Sequence, residues 1–204
     1  MPRSYALGKR AVQQAETRRR IIDAALDLYQ EQGISATTMQ DVARRADVAP
    51  GTVANHFGSA DALATEATVG ILTDLRMPTV ELFTGVDDPA ARIGLLVREM
   101  GAFFRRSETW YWVSRREPPG VHAWAEAEAR FYGDTRALVR AALGPLAGDA
   151  EAVAVVTAIL TTWVLGAIEA TGLSAGTAED LVSDLLATWL ASRAAGSDPL
   201  PGPA

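Results

Sequence analysis

The sequence predicts an all-α protein, and three observations predict it. Nearly every apolar stretch recurs at three- and four-residue spacing, the period of one helix face. Helix-opening residues (Thr, Ser, Asp and Pro) stand just ahead of several of those stretches. No run reads as a strand, since the apolar segment 152–160 is too long for one and lacks turn signals.

The elements follow in chain order. Ile21, Ile22, Ala25, Leu26, Leu28 and Tyr29 form one apolar face, and Gly33 supplies the left-handed stop behind it. Thr38 opens a short second helix with Asp41 three residues on, a capping box in which Asp stands for the usual Glu or Gln. Val42, Ala43 and Ala46 face inward on that helix, and Asp47 stands where the chain must turn in the left-handed region. Pro50 falls in the first turn of the third helix, where its missing N–H costs nothing. Ser59 caps a fourth, whose face of Leu63, Ala67, Ile71 and Leu75 runs on until Pro78. Asp88-Pro89 opens a helix carrying Ile93, Leu96, Val97, Met100 and Phe104, and "SETWYWVSRREPPG" reads as a short helical or irregular connector. Three longer helices are expected over 120–143, 149–172 and 177–194, the last with Leu181, Leu185 and Trp189 on one face. The final "AAGSDPLPGPA" reads as a disordered tail.

Composition narrows the function. The chain has no cysteine, which excludes disulfides, thiolate zinc sites and cysteine nucleophiles and fits a cytoplasmic location. Residues 152–168 run without a charge, but at 17 residues they fall short of the ~20 needed to span a bilayer. No membrane partner is expected. Two histidines, no Gly-rich phosphate loop and no Gly-x-Ser-x-Gly leave no recognisable catalytic set, so neither an enzyme nor a cofactor is expected. The formal net charge is −6, yet it is unevenly spread. Residues 1–20 carry six basic side chains against Glu16 alone, while residues 65–204 carry 11 basic and 18 acidic. A basic end on an acidic body is the asymmetry of a small DNA-contacting module on a regulatory body.

Residues 37–63, "TTMQDVARRADVAPGTVANHFGSADAL", are similar to the N-terminal domain of the tetracycline-repressor-like (TetR) family of bacterial transcriptional regulators. The resemblance is carried by Thr38 before "MQDVA", the turn at "ADV", then "PGT…HF" and the Ser-capped helix. Upstream, "ETRRRIIDAALDLYQEQGISATT" resembles the family's first helix, so the match covers about residues 14–64. It implies a helix-turn-helix head over residues 1–64, a ligand-binding and dimerisation domain over 65–195, and the tail at 196–204.

In a helix-turn-helix the second helix of the motif lies in the major groove with its N-terminal residues against the base edges. Here Pro50 and the Thr52 methyl suit thymine methyl groups, and Gly51 admits close backbone approach. Asn55 reads adenine if it faces the base pairs and otherwise reaches a phosphate. The resemblance implies that His56 bonds a phosphate oxygen; local capping of the helix end is the alternative. Gln40 is either a base contact or a solvated side chain. From Ala49 to Phe57 there is no lysine or arginine. The phosphate contacts, which provide much of the affinity, therefore fall to the basic N-terminal arm. Arg18, Arg19 and Arg20, before and within the first turn of helix one, share that role. So do Arg44 and Arg45 (unless these form a solvated face), with help from backbone N–H groups, including that of Thr38, at helix starts. The sequence departs from the family at Ala54, commonly tyrosine, at Ala60, commonly lysine, and at Ala49, a frequent serine cap.

The C-terminal two-thirds resembles the family in layout only. A helix as apolar as 152–168 cannot sit at the edge of a small monomer, and pairing of the helices 149–172 and 177–194 with their symmetry mates would bury it in a four-helix homodimer interface. Aromatic residues concentrate in one third of the chain, and a mostly apolar effector pocket is expected. Glu99, Met100, Phe103, Phe104, Trp110, Trp112, Trp124, Phe131, Tyr132 and Trp163 are its candidate lining, with His122 and Glu169 as further polar anchors. The expected function is a repressor released from a palindromic double-stranded DNA operator by a small effector. The alternative is a helical dimer that binds a small molecule or protein partner with weak or no specific DNA binding.

Overall fold

Residues 3–118, 120–161 and 163–196 are described in a computed structural model of the chain, and no strand occurs among them. Nine α-helices form among the described residues: α1 Arg3–Gln32, α2 Met39–Arg45, α3 Pro50–Phe57, α4 Ala60–Asp74, α5 Pro89–Arg116, α6 His122–Leu143, α7 Ala150–Thr161, α8 Val164–Glu169 and α9 Ala175–Gly196.

The local signals place the first boundaries. Gly33 stops α1 at φ +89° and donates its N–H to the Tyr29 carbonyl at 3.0 Å. The capping box at α2 is complete: the Thr38 hydroxyl accepts the Asp41 N–H at 3.2 Å, and Asp41 accepts the Thr38 N–H at 3.1 Å. Asp47 takes φ +52°, as its turn position requires. Ser59 Oγ accepts the Ala62 N–H at 3.1 Å, and Asp88 caps α5 through the Ala91 N–H at 2.9 Å.

Four boundaries differ from expectation. α1 begins at Arg3, so Arg18–Arg20 lie in mid-helix rather than at its first turn. Ala, Gln, Arg and Lys favour helix, and no proline interrupts residues 3–32. α5 continues through most of the expected connector to Arg116, because the first breaker is Pro118. α4 ends at Asp74, short of Pro78, with Arg76 left-handed at φ +52°. The expected helix over 149–172 is divided into α7 and α8, since the Trp163 backbone leaves the helical region at ψ +39°. Of the expected tail, residues 197–204 lie outside the described residues.

The chain divides into two compact units. The first takes residues 1–74 and 108–128, more than the expected 1–64. The reason is a shared core. Ile21, Ala25, Leu28 and Tyr29 of α1, Val42 of α2, Val53 and Phe57 of α3, Leu63 and Ala67 of α4, and Ala123 of α6 bury one cluster. Burial pushes the Tyr29 hydroxyl up to about 12. Thr68 Oγ1 donates to the Ala123 carbonyl at 3.2 Å, tying α4 to the start of α6.

The second unit holds residues 75–107 and 129–204. Its buried residues include Leu96, Val97 and Met100 of α5, Leu138 and Val139 of α6, Val156 and Leu160 of α7, and Val182 and Leu186 of α9. Arg105 joins α5 to α9 through Glu179, which is buried, at 2.8 Å, and to Glu169 of α8 at 3.3 Å. No helix of the described residues is long and apolar enough to cross a membrane.

Candidate nucleic-acid interface

α2 and α3 present two faces. Val42, Ala43 and Ala46 on α2, with Val53 and Phe57 on α3, point into the core of the first unit. The inward spacing of four between Val53 and Phe57 leaves the intervening residues outward. Pro50, Gly51, Ala54 and Asn55 are exposed, and Thr52 and His56 are half-buried. Between the helices, the Val48 N–H donates to the Ala43 carbonyl at 3.0 Å, which holds the turn at Asp47. Pro50 occupies the first helical position, and Ala49 makes no side-chain cap. The first turn of α3 thus exposes a small, neutral surface.

The expected phosphate contacts divide. Arg19 keeps 86% of its side chain exposed, its nearest carboxylate being Asp23 at 3.9 Å. Arg20 and Gln40 are also exposed. Arg44 is 75% exposed and pairs with Asp41 of the capping box. Hydrogen bonds from Thr38 first, and then Arg44, hold the Asp41 carboxyl below its ordinary range. Arg45 donates to both carboxylate oxygens of Glu31, at 2.9 and 2.7 Å, so that pair is matched within the protein.

Arg18 is directed at α3 and α4, with 38% of its side chain still exposed. Its Nε donates to Glu66 Oε1 at 3.0 Å, its Nη2 to Glu66 Oε2, and its Nη1 to the His56 carbonyl at 2.6 Å. The guanidinium also lies 4.2 Å from the Phe57 ring centroid. One side chain of α1 thus joins the C-terminal end of α3 to α4. No local signal in the sequence marks this role, because its partners lie 38 and 48 residues away.

The ten candidate effector residues are not one cluster. Phe103 stacks on Phe131 with centroids 5.8 Å apart, and Phe104 meets Phe131 and Trp163 edge-on at 6.0 and 6.1 Å. Tyr132 packs on Phe131 at 5.6 Å, and buried Met100 stands one turn before the phenylalanines. These residues, with half-buried Glu99, belong to the second unit. Trp110, Trp112 and Trp124 belong to the first. Trp110 and Trp124 pack on each other at 6.4 Å, Trp110 also lies against the head core, and Trp112 is 49% exposed. His122 is exposed and also in the first unit, while Glu169 is paired with Arg105. A groove of about 580 Å³ in the second unit is lined by Ile93, Leu143, Leu146, Ala187 and Leu190 among others, none of them a candidate.

Residues 21–67 match the family model of bacterial regulatory proteins, tetR family. The HTH-type transcriptional regulator BetI of Burkholderia thailandensis is 27% identical over 196 residues, covering 92% of this chain and 98% of its own. BetI of Rhizobium meliloti is 33% identical over 81 residues, 40% of either chain. Among solved structures, the multidrug binding protein EbrR complexed with imidazole superposes with a TM-score of 0.60 at 25% identity, over 92% of this chain and 93% of that one. A TetR-family member from Streptomyces coelicolor gives 0.54 at 27% identity, over 84% and 98%. Residues 21–67, with an exposed second helix set behind an Asp47 turn, thus form a helix-turn-helix of the tetR family type, and the chain is similar over most of its length to transcriptional regulators of that family.

Proposed function

We propose that the protein is a cytoplasmic repressor that occupies a palindromic operator as a homodimer and leaves it when a small, largely apolar effector binds. The observation that carries the reading is the two-faced helix-turn-helix, whose outer surface offers Pro50, Gly51, Thr52 and Asn55 while its inner face is core. These four supply the base contacts. Arg19, Arg20 and Arg44 supply phosphate contacts, with Gln40, Thr38 and His56 at the edges of the same surface, and Arg45 contributes after exchanging Glu31 for phosphate.

Dimerisation is supported by α9, where Leu181 and Leu185 stand 45% and 70% exposed four residues apart. Two large apolar side chains on one helix face are a surface that a symmetry mate covers. The effector site is proposed at Met100, Phe103, Phe104, Phe131, Tyr132 and Trp163. The similarity to EbrR, a multidrug binding protein, supports an effector of small-molecule size. Effector and operator then compete through two conformations of one dimer, and the coupling is reciprocal.

Selection of bound duplexes from a random DNA pool tests this. A two-fold symmetric winner that compounds from a small-molecule panel can release supports the reading. Enrichment of no sequence would leave the chain a dimer that reads something other than DNA.

A further inference from the structure

A carboxylate from outside the helix-turn-helix is seated on it. Glu117 follows the last residue of α5 and accepts two successive backbone N–H groups, that of Ile34 through Oε1 and that of Ser35 through Oε2 at 3.2 Å. Two neighbouring amides converging on one anion, after a left-handed residue, form a backbone nest. Gly33 makes the seat possible: besides its φ of +89°, a Cβ there would lie 2.6 Å from Glu117 Oε1. The loop so held is the one from which α2 starts. Thr37 donates its hydroxyl to the Gly33 carbonyl at 2.7 Å and its N–H to the Ile34 carbonyl at 3.0 Å, and Thr38 is the α2 cap.

Glu117 is itself fixed from its own side. Its N–H donates to the Ser114 carbonyl at 3.3 Å, and Pro118 ends the helix behind it. The seat lies within the first unit, whereas α5, which delivers Glu117, begins at Pro89 among residues of the second.

We propose that Glu117 is a positioning residue for DNA binding, fixing the loop that starts α2 and thereby the presentation of α3. This gives α5 a hold on the reading head that is separate from α4. The inference rests on the operator-binding reading above. An anion makes no favourable phosphate contact, so the role of Glu117 is indirect and removing it leaves the counterion balance of binding unchanged.

The experiment uses the full chain as wild type, Glu117→Gln and Glu117→Ala, titrated at two salt concentrations with the duplex that wild type selects. Amide exchange over residues 33–37 and the thermal midpoint are measured alongside. Glu117→Ala is expected to lose about tenfold in affinity at an unchanged salt slope, with faster exchange at Ile34 and Ser35 and full folding at the assay temperature. Glu117→Gln, whose amide oxygen still accepts one N–H, falls between. Affinity of Glu117→Ala within twofold of wild type, or a loss that follows its unfolded fraction, overturns the proposal and leaves a merely stabilising cap. If wild type selects no duplex, the operator reading fails first and the proposal falls with it.

Discussion

Arg18 donates to Glu66 and to the His56 carbonyl, so its charge is matched within the protein, whereas Arg19 keeps most of its surface in water. The two neighbours therefore predict different phenotypes. If Arg19 meets a phosphate as proposed, Arg19→Ala lowers the salt slope of binding by about one, at little cost in stability. Arg18→Ala releases the end of α3, weakening binding at an unchanged slope and lowering stability by about 1–2 kcal/mol, a modest figure because the pair is half-exposed. Salt titrations and denaturant melts of the two variants separate the roles; equal slopes would merge them. At Thr38 the cap contributes about 1 kcal/mol, which Thr38→Val forfeits. Its partner Asp41 titrates below its unfolded value, so that contribution is present above the ordinary carboxylate range and lost as pH falls through the lowered folded value. The difference in thermal midpoint between wild type and Thr38→Val should shrink in acid. A gap that is independent of pH would place the Thr38 contribution elsewhere.

At the scale of elements, what sequence made legible was local chemistry. Asp47, Pro50, Ser59 and Asp88 each act on N–H groups or torsions within three residues, and each was readable from its neighbours alone. What escaped depended on distant partners or on the lack of a breaker. Arg18 is engaged by the protein because Glu66 meets it from another helix, and α5 ran through 107–116 because nothing stopped it. The aromatic residues, adjacent in sequence, were divided between the two units by contacts no spacing rule contains. The break between α7 and α8 has its own test. The Trp163 indole lies so close over Gly166 that a Cβ there would overlap the ring. Gly166→Ala should therefore cost about 1–3 kcal/mol by displacing Trp163 or α8. Chemical denaturation checks this, and a neutral result would mean the indole yields without cost.

For the molecule as a whole, the neutral reading helix and the acidic net charge are reconciled by division of labour. In the proposed function, arginines outside α3 provide attraction and positioning, while a small uncharged surface provides sequence preference. On that proposal a dimer completes the arrangement, because one head would read only half of a two-fold site, and paired heads must lie about 34–36 Å apart to meet successive major grooves. Leu185→Glu, on the exposed face of α9, should shift sedimentation from dimer toward monomer and reduce operator affinity at the same protein concentration. A Leu185→Glu variant that sediments as wild type would place the interface on another surface.

The most direct test is to titrate wild-type protein with its selected full-length duplex, a half-site duplex and a scrambled one, at two salt concentrations. Two protomers on the full site, weaker binding to the half-site, and affinity that falls steeply with salt on all three are expected. Equal affinity for the full and scrambled duplexes would contradict the operator reading.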